Sequence, residues 1–368
     1  MALSFKLIPR EAPSLKMQVL VPILVTVLTL LSGLAVFVAI GVDVSDAFKA
    51  YFIEPLSTIN GVSEWLLKAL PLCLIALGLA VAYRANVWNI GAEGQLVMGG
   101  IFATATMVLL QNSVHSGWLA VLMVLAGALG GMWWASLAAW MRTRFNANEI
   151  LTTLMLVYVA QNILQYLLVG SAASTALLQD PNGAGFPQSA TFPLEATLPL
   201  LGSSIALFEG TRLNVGVVLI VLAVPLFWLL IHKSFVGYQM RVVGLAPAAA
   251  NYAGFSSSRL IWLAMLVSGA MAGLAGALEL VGPVGQLQDS WRPGYGFTAI
   301  IVAFLGRLNP IGIVVAALLM ALLMLGGEAL QLAMSLPKSV SSLFQGLLLI
   351  FLLGADVLVN YRIVKQKS

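Results

Sequence analysis

Residues 65–100 read WLLKALPLCLIALGLAVAYRANVWNIGAEGQLVMGG. From Trp65 to Tyr83 the run is apolar apart from Lys68, and its length is close to the ~20 residues that a helix needs to cross a hydrocarbon core. Beyond Arg84 that regularity breaks. Gly91 and Gly94 interrupt the helical pattern at the edge of the next apolar run, and Asn89, Glu93 and Gln95 put polar side chains there. A backbone break facing lipid leaves amides without partners, at several kcal/mol each. The segment is therefore expected to be buried in protein or to line a wet cavity. A carboxylate at mid-membrane costs about 2.5–3.5 kcal/mol on insertion scales. Glu93 thus has two readings: it serves a polar path, or it caps a helix start or sits at the inner interface near Arg84.

The rest of the chain agrees that lipid is the solvent. Of 368 residues, 60% are hydrophobic and 9% charged, with mean hydropathy +0.99. A soluble domain carries roughly 25% charged residues, so this chain could not cover a globular surface in water. Net charge is +4, but the basic residues fall at the ends of apolar runs, which points to membrane topology and not to nucleic acid. Cys73 stands alone in an apolar run, and His115 and His232 lie far apart, so neither an internal disulfide nor a metal site is expected. No phosphate-binding G-x-x-x-x-G-K-[ST], H-E-x-x-H or G-x-S-x-G is present. No cofactor is expected on this chain, and if ATP drives it, another chain binds the nucleotide.

The spacing predicts an all-α integral membrane protein of about ten transmembrane helices. Eight runs are clear: Val19 to Ile40, Trp65 to Tyr83, Trp118 to Trp140, Ile150 to Gly170, Asn214 to Ile231, Leu260 to Val281, Pro310 to Leu330 and Val340 to Val359. Two more are short or interrupted, Gly94 to Leu110 and Phe297 to Gly306. With the N-terminus inside, thirteen of the 18 Lys and Arg residues fall on the cytoplasmic side, the bias expected of inner loops. Residues 1–18 and 361–368 are then cytoplasmic, and 19–360 form the membrane domain. A long outer loop covers about 171–213, and a polar cytoplasmic loop covers about 232–259.

Within that cytoplasmic loop, Pro247 precedes Ala248-Ala249-Ala250-Asn251-Tyr252, and Gly254 comes after. Proline at a helix start and glycine past its end are the expected punctuation. A helix of about two turns is too short to stand alone and needs a partner surface. A second irregular stretch, Gly282 to Gly306, is rich in Gly, Pro and aromatics. There Trp291, Tyr295 and Phe297 either stack on a planar or sugar-like solute or anchor at the interface. Tyr158, within the Ile150 to Gly170 run, joins Asn89, Glu93, Gln95 and these three aromatics as a candidate for the substrate path. Gly127 to Gly131, and Gly269 to Gly273 with Gly276, are small-residue steps that let helices approach closely.

These residues resemble the permease family that serves ribose, other simple sugars, nucleosides and branched-chain amino acids, and within it the longer permease of bacterial nucleoside (guanosine-type) importers. The resemblance is carried by Asn89 to Leu96, Asn148 to Leu156, Gly244 to Gly254, Ser268 to Gly276 and Gly306 to Pro310. Val157 stands where nucleoside-type relatives are expected to carry Asn. The resemblance implies a type II-like ABC importer permease in a bacterial inner membrane, both termini cytoplasmic, moving a nucleoside or related small polar solute, or alternatively a simple sugar. It implies a cytoplasmic ATPase carrying ATP and Mg, a second permease subunit that is a paralogue, and an extracytoplasmic solute-binding lipoprotein. It assigns ATPase coupling to Gly244, Pro247, Ala248, Ala249, Ala250, Asn251, Tyr252 and Gly254. An ion-coupled carrier or channel without an ATPase is the rival reading. A proton-coupled carrier needs paired ionisable groups deep in the bundle, and Glu149, Glu279, Glu328 and Asp356 form no clear acid–base pair.

Overall fold

The computed structural model describes residues 4–9, 15–114, 117–170, 176–183, 185–337 and 339–366. Thirteen α-helices are found among them: α1 (Leu15–Ile40), α2 (Val44–Phe48), α3 (Ile59–Arg84), α4 (Ala92–Leu110), α5 (Trp118–Phe145), α6 (Glu149–Val169), α7 (Val218–His232), α8 (Phe235–Leu245), α9 (Pro247–Tyr252), α10 (Ser257–Glu279), α11 (Tyr295–Leu305), α12 (Pro310–Met334) and α13 (Ser339–Asn360). Eight, namely α1, α3 to α7, α10 and α12, are long and apolar enough to cross a membrane. The shorter apolar helices are α11 and the Ser342–Ala355 part of α13. Each of the ten expected spans is thus a helix. At 11 residues, α11 is about 16 Å long, half of a hydrocarbon core.

The chain divides into two compact units, Met1–Gly61 with Leu319–Ser368, and Val62–Leu318. In the first, α1 packs on α13. Tyr51, Phe37 and Phe344 are fully buried there; the Tyr51 and Phe344 rings stack at 4.9 Å, and the Tyr51 hydroxyl donates to the Leu323 carbonyl at 2.6 Å. Among the described residues there is also a two-stranded ribbon: β1 (Ser4–Pro9) pairs antiparallel with β2 (Tyr361–Gln366), from Ser4 opposite Gln366 to Pro9 opposite Tyr361.

In the second unit α4, α5 and α10 pack closely on one another. A Cβ at Gly99, Gly127 or Gly131 would overlap backbone or side chain of α10, and one at Gly273 would overlap the Gly127 carbonyl. The small-residue steps are therefore where three helices approach backbone to backbone. That proximity supplies the dispersion contacts on which association in lipid depends.

Two sequence expectations shift. The break before α4 ends at Gly91, and Gly94 lies inside α4. The loop 232–259 holds a second helix, α8, ahead of α9; Met240 and Val243 of α8 are buried, and Phe235, Tyr238 and Leu245 are exposed. The described part of the long loop carries 3-10 turns at Leu194–Ala196, Leu201–Ser203 and Ala206–Phe208.

Candidate functional site

Where α3 ends at Arg84 the chain turns at Asn86, in the left-handed region with φ 54°, and stays non-helical to Gly91. The stray backbone groups of this break find named partners. The Tyr83 hydroxyl donates to the Asn89 carbonyl at 3.1 Å, and the Ile90 amide donates to Thr153 Oγ1 at 3.1 Å. Asn89 is buried and its amide is fully engaged. Its Nδ2 donates to Gln95 Oε1 at 2.8 Å and to Ser268 Oγ at 2.9 Å, while its Oδ1 accepts from the Gly91 amide and from Gln95 Nε2. That is the whole capacity of a primary amide's two N–H groups and a pair of lone pairs. Asn89 and Gln95 thus knot the break to α10. Beside the knot, Glu149 accepts from the Trp88 amide and pairs with Arg142.

Glycine sets how closely the break lies on α6. A Cβ at Gly91 would come within 2.6 Å of the Thr153 carbonyl, and one at Gly94 within 2.8 Å of the Val157 Cα. Val157 is itself buried. Position 157 therefore faces the α4 backbone, so the departure from Asn there bears on helix packing.

Glu93, in the first turn of α4, is buried. Its Oε1 accepts from the Gly294 amide at 2.9 Å and its Oε2 from the Gly296 amide at 2.7 Å. Both amides belong to the start of α11, so the carboxylate does cap a helix start, but on a helix some 200 residues away in sequence. The Trp291 ring lies against Gly100 of α4, where a Cβ would be 2.7 Å from it. The Tyr295 hydroxyl donates to Glu279 at 3.3 Å. Asn89, Glu93, Gln95, Trp291 and Tyr295 thus form a buried cluster, with Trp291 against the middle of α4 and the Tyr295 hydroxyl at the end of α10. Phe297 and Tyr158 are not part of that cluster: they are 41% and 57% exposed.

Tyr158 belongs instead to a stripe that the sequence reading missed. Met155, Tyr158, Asn162, Gln165, Tyr166 and Val169 are all exposed on α6, at the spacing of one helical face. Asn162 donates to the Tyr158 carbonyl at 2.8 Å. The signal was present in the sequence: Tyr158, Asn162 and Gln165 recur at intervals of four and three in a mainly apolar run.

The long loop is sewn to the segment between α10 and α11. The Ser189 amide donates to the Leu287 carbonyl and the Phe192 amide to the Gly285 carbonyl, both at 2.8 Å, and the Leu198 amide donates to the Val281 carbonyl at 3.0 Å. A cavity of about 730 Å³ opens between Leu194–Ser203 of this loop, the start of α5, Val215 and Gly282.

At the α8–α9 hairpin, Pro247 opens α9 and Gly254, at φ 80°, lies beyond its end, as the punctuation predicts. Phe235, Tyr238 and Phe255 pack their rings together beneath it. Ala250 is fully buried, whereas Ala248, Ala249, Asn251 and Tyr252 are exposed, Tyr252 at 97%. Ala250 therefore faces inward and does not offer itself to a partner. Gly244 touches the end of α3, where a Cβ would overlap the Arg84 carbonyl. Among the described residues no group of His, Cys, Asp and Glu is placed to hold a metal ion.

Residues 61–353 match the family described as the permease component of branched-chain amino acid transport systems. The chain is 35% identical over 347 residues to the glucose ABC transporter permease protein TsgB13 of Haloferax volcanii, covering 92% of this chain and 88% of that one. It is 29% identical over 336 residues to the guanosine ABC transporter permease protein NupP of Bacillus subtilis, covering 91% and 92%. It is 26% identical over 260 residues to the guanosine permease NupQ of the same bacterium, covering 70% and 78%. The chain belongs to this permease family. It is a multi-pass membrane permease subunit of an ATP-binding-cassette transporter, a transport component and not an enzyme.

Proposed function

We propose that this chain is one of two paralogous permease subunits of an importer that carries a nucleoside or a related small polar solute inward. The observation that carries the reading is the stripe on α6. Asn162 and Gln165 lie in the body of a membrane span and are exposed on the surface of their own chain. Polar side chains inside a membrane face protein or a water-filled cavity, so this face of α6 lines a wet path opposite the second permease. That a single bacterium carries two matching guanosine permeases, NupP and NupQ, supports a pair.

The exposed hairpin, with Ala249 and Tyr252 outward, is a surface for a cytoplasmic ATPase that binds ATP and Mg. A solute-binding lipoprotein delivers the solute from outside, on the side where the long loop lies. The membrane domain 19–360 sits in a bacterial inner membrane with residues 1–18 and 361–368 in the cytoplasm. Two things favour that placement: the excess of Lys and Arg in the inner segments, and the β1–β2 ribbon, whose strands can pair only if both ends of the chain lie on one side. A simple sugar is a second reading for the solute, favoured by the 35% identity to a glucose permease.

The test is uptake by proteoliposomes holding both permeases, the ATPase and the binding protein, with nucleosides and hexoses offered in turn. ATP-dependent accumulation of a nucleoside is expected. Asn162→Leu combined with Gln165→Leu is expected to lower it about tenfold, the scale of a lost polar contact or two, with the assembly intact. Parental uptake by that variant would remove α6 from the path.

A further inference from the structure

We infer that Glu93 is a positioning residue: it caps α11 from another helix and fixes α11 to the 83–93 segment, and it does not read the solute. A helix begins with amides that have no partner inside it, and within a membrane each needs one from elsewhere. The residue at the N-cap of α11 is Gly294, with no side chain to offer. Glu93 supplies what is missing, one carboxylate oxygen to the Gly294 amide and the other to the Gly296 amide, at 2.9 and 2.7 Å. These are charge-assisted distances, and a negative charge is favoured at a helix N-terminus. The same carboxylate sits in the first turn of α4, so it lies between two helix starts. The fit leaves no slack, since a Cβ at Gly296 would overlap the Glu93 amide nitrogen.

The opposite end of α11 is held by the same segment. Phe304, one residue from the end of α11, stacks on Tyr83 at 5.2 Å and on Trp88 at 6.0 Å. Arg84 donates from Nε and a terminal nitrogen to the Leu308 carbonyl at 3.3 and 3.1 Å. Residues 83–93 therefore run antiparallel to α11 and grip it at both ends. The α8–α9 hairpin bears on this grip directly, through Gly244 against Arg84. If the hairpin is where the ATPase engages, a premise taken from the proposed function, its displacement reaches α11 through one contact and one clamp.

The experiment uses the assembled transporter in nanodiscs, with Glu93→Ala, Glu93→Gln and Glu93→Asp. Hydrogen exchange at residues 294–298 is expected to accelerate about tenfold or more in Glu93→Ala, the scale of a lost charge-assisted hydrogen bond, while α5 exchanges as in the parent. Glu93→Asp keeps the charge and is expected to recover most protection, and Glu93→Gln, with one acceptor oxygen, part of it. Unchanged exchange at 294–298 would overturn the proposal whatever transport does. In uptake assays the maximal rate is expected to fall in the same order with the half-saturation concentration unchanged. A raised half-saturation concentration at parental maximal rate would show instead that Glu93 reads the solute. Parental protein that moves none of the offered solutes, yet shows the exchange effect in Glu93→Ala, would refute the transport reading and leave the clamp standing.

Discussion

Asn89 Nδ2 donates to Ser268 Oγ at 2.9 Å across 179 residues of sequence, and so fastens the break before α4 to the middle of α10. Hydrogen bonds between membrane helices are worth about 0.6–2 kcal/mol each. Asn89→Leu deletes the hub and strands the Gln95 amide and the Gly91 N–H, so a loss of about 1–3 kcal/mol is expected. Ser268→Ala removes one acceptor and should cost less. The check is thermal unfolding in detergent of both variants and of the double variant. The double variant is expected to be less destabilised than the sum of the singles, because the bond between them can be lost only once and removing both partners leaves neither stranded. Strict additivity would mean that the pair is not coupled.

Packing of α10 on α5 makes a sterically sharper claim. At Gly273 a new Cβ would overlap a backbone carbonyl, whereas at Gly354 nothing lies within 4 Å. Gly273→Leu is expected to cost about 3 kcal/mol or more, since overpacking against backbone has no cheap relief. Gly354→Ala is expected to leave stability near the parental value. Size-exclusion profiles and unfolding midpoints of the two variants separate them, and a monodisperse Gly273→Leu protein with a parental midpoint would contradict so close an approach of the two helices.

On the α8–α9 hairpin, neighbouring alanines face opposite ways. Ala249 is exposed and Ala250 fully buried. Ala249→Arg is expected to leave insertion intact and to lower co-purification of the ATPase about tenfold or more, as loss of a central interface contact does. Ala250→Arg is expected to lower the yield of folded permease itself. Co-purification at the parental level for Ala249→Arg, with parental uptake, would show that α9 is not the coupling surface.

Much of this architecture could be read from one sequence because lipid imposes simple rules. A span must be apolar and about 20 residues long, and each of the ten expected runs coincides with a helix. The irregular stretch around Asn89 and Glu93 also declared itself, since polar groups in such a place need partners. The partners themselves were out of reach. Nothing local to Glu93 names Gly294 and Gly296, 201 and 203 residues away, and a glycine-opened helix advertises no need for a cap. Helix α8 was hidden by its own composition: Gly237 and Gly244 read as loop, though each is small because backbone from a neighbouring helix lies against it. The inward turn of Ala250 could not be told from Ala249, since a run of identical residues carries no pattern.

The unit made of Met1–Gly61 and Leu319–Ser368 draws on both ends of the chain, whereas Val62–Leu318 is continuous. This imposes an order on synthesis. The continuous unit has all its residues while the ribosome is still translating α12, so the α4–α5–α10 core can close early. The elements of 4–40 must wait for those of 339–366: β1 has no partner until β2 emerges, and α1 stays without α13 until α13 has been made. Domains generally fold as units, N-terminal first during synthesis, and here α1, made before α4, α5 and α10, packs on a helix made after all three.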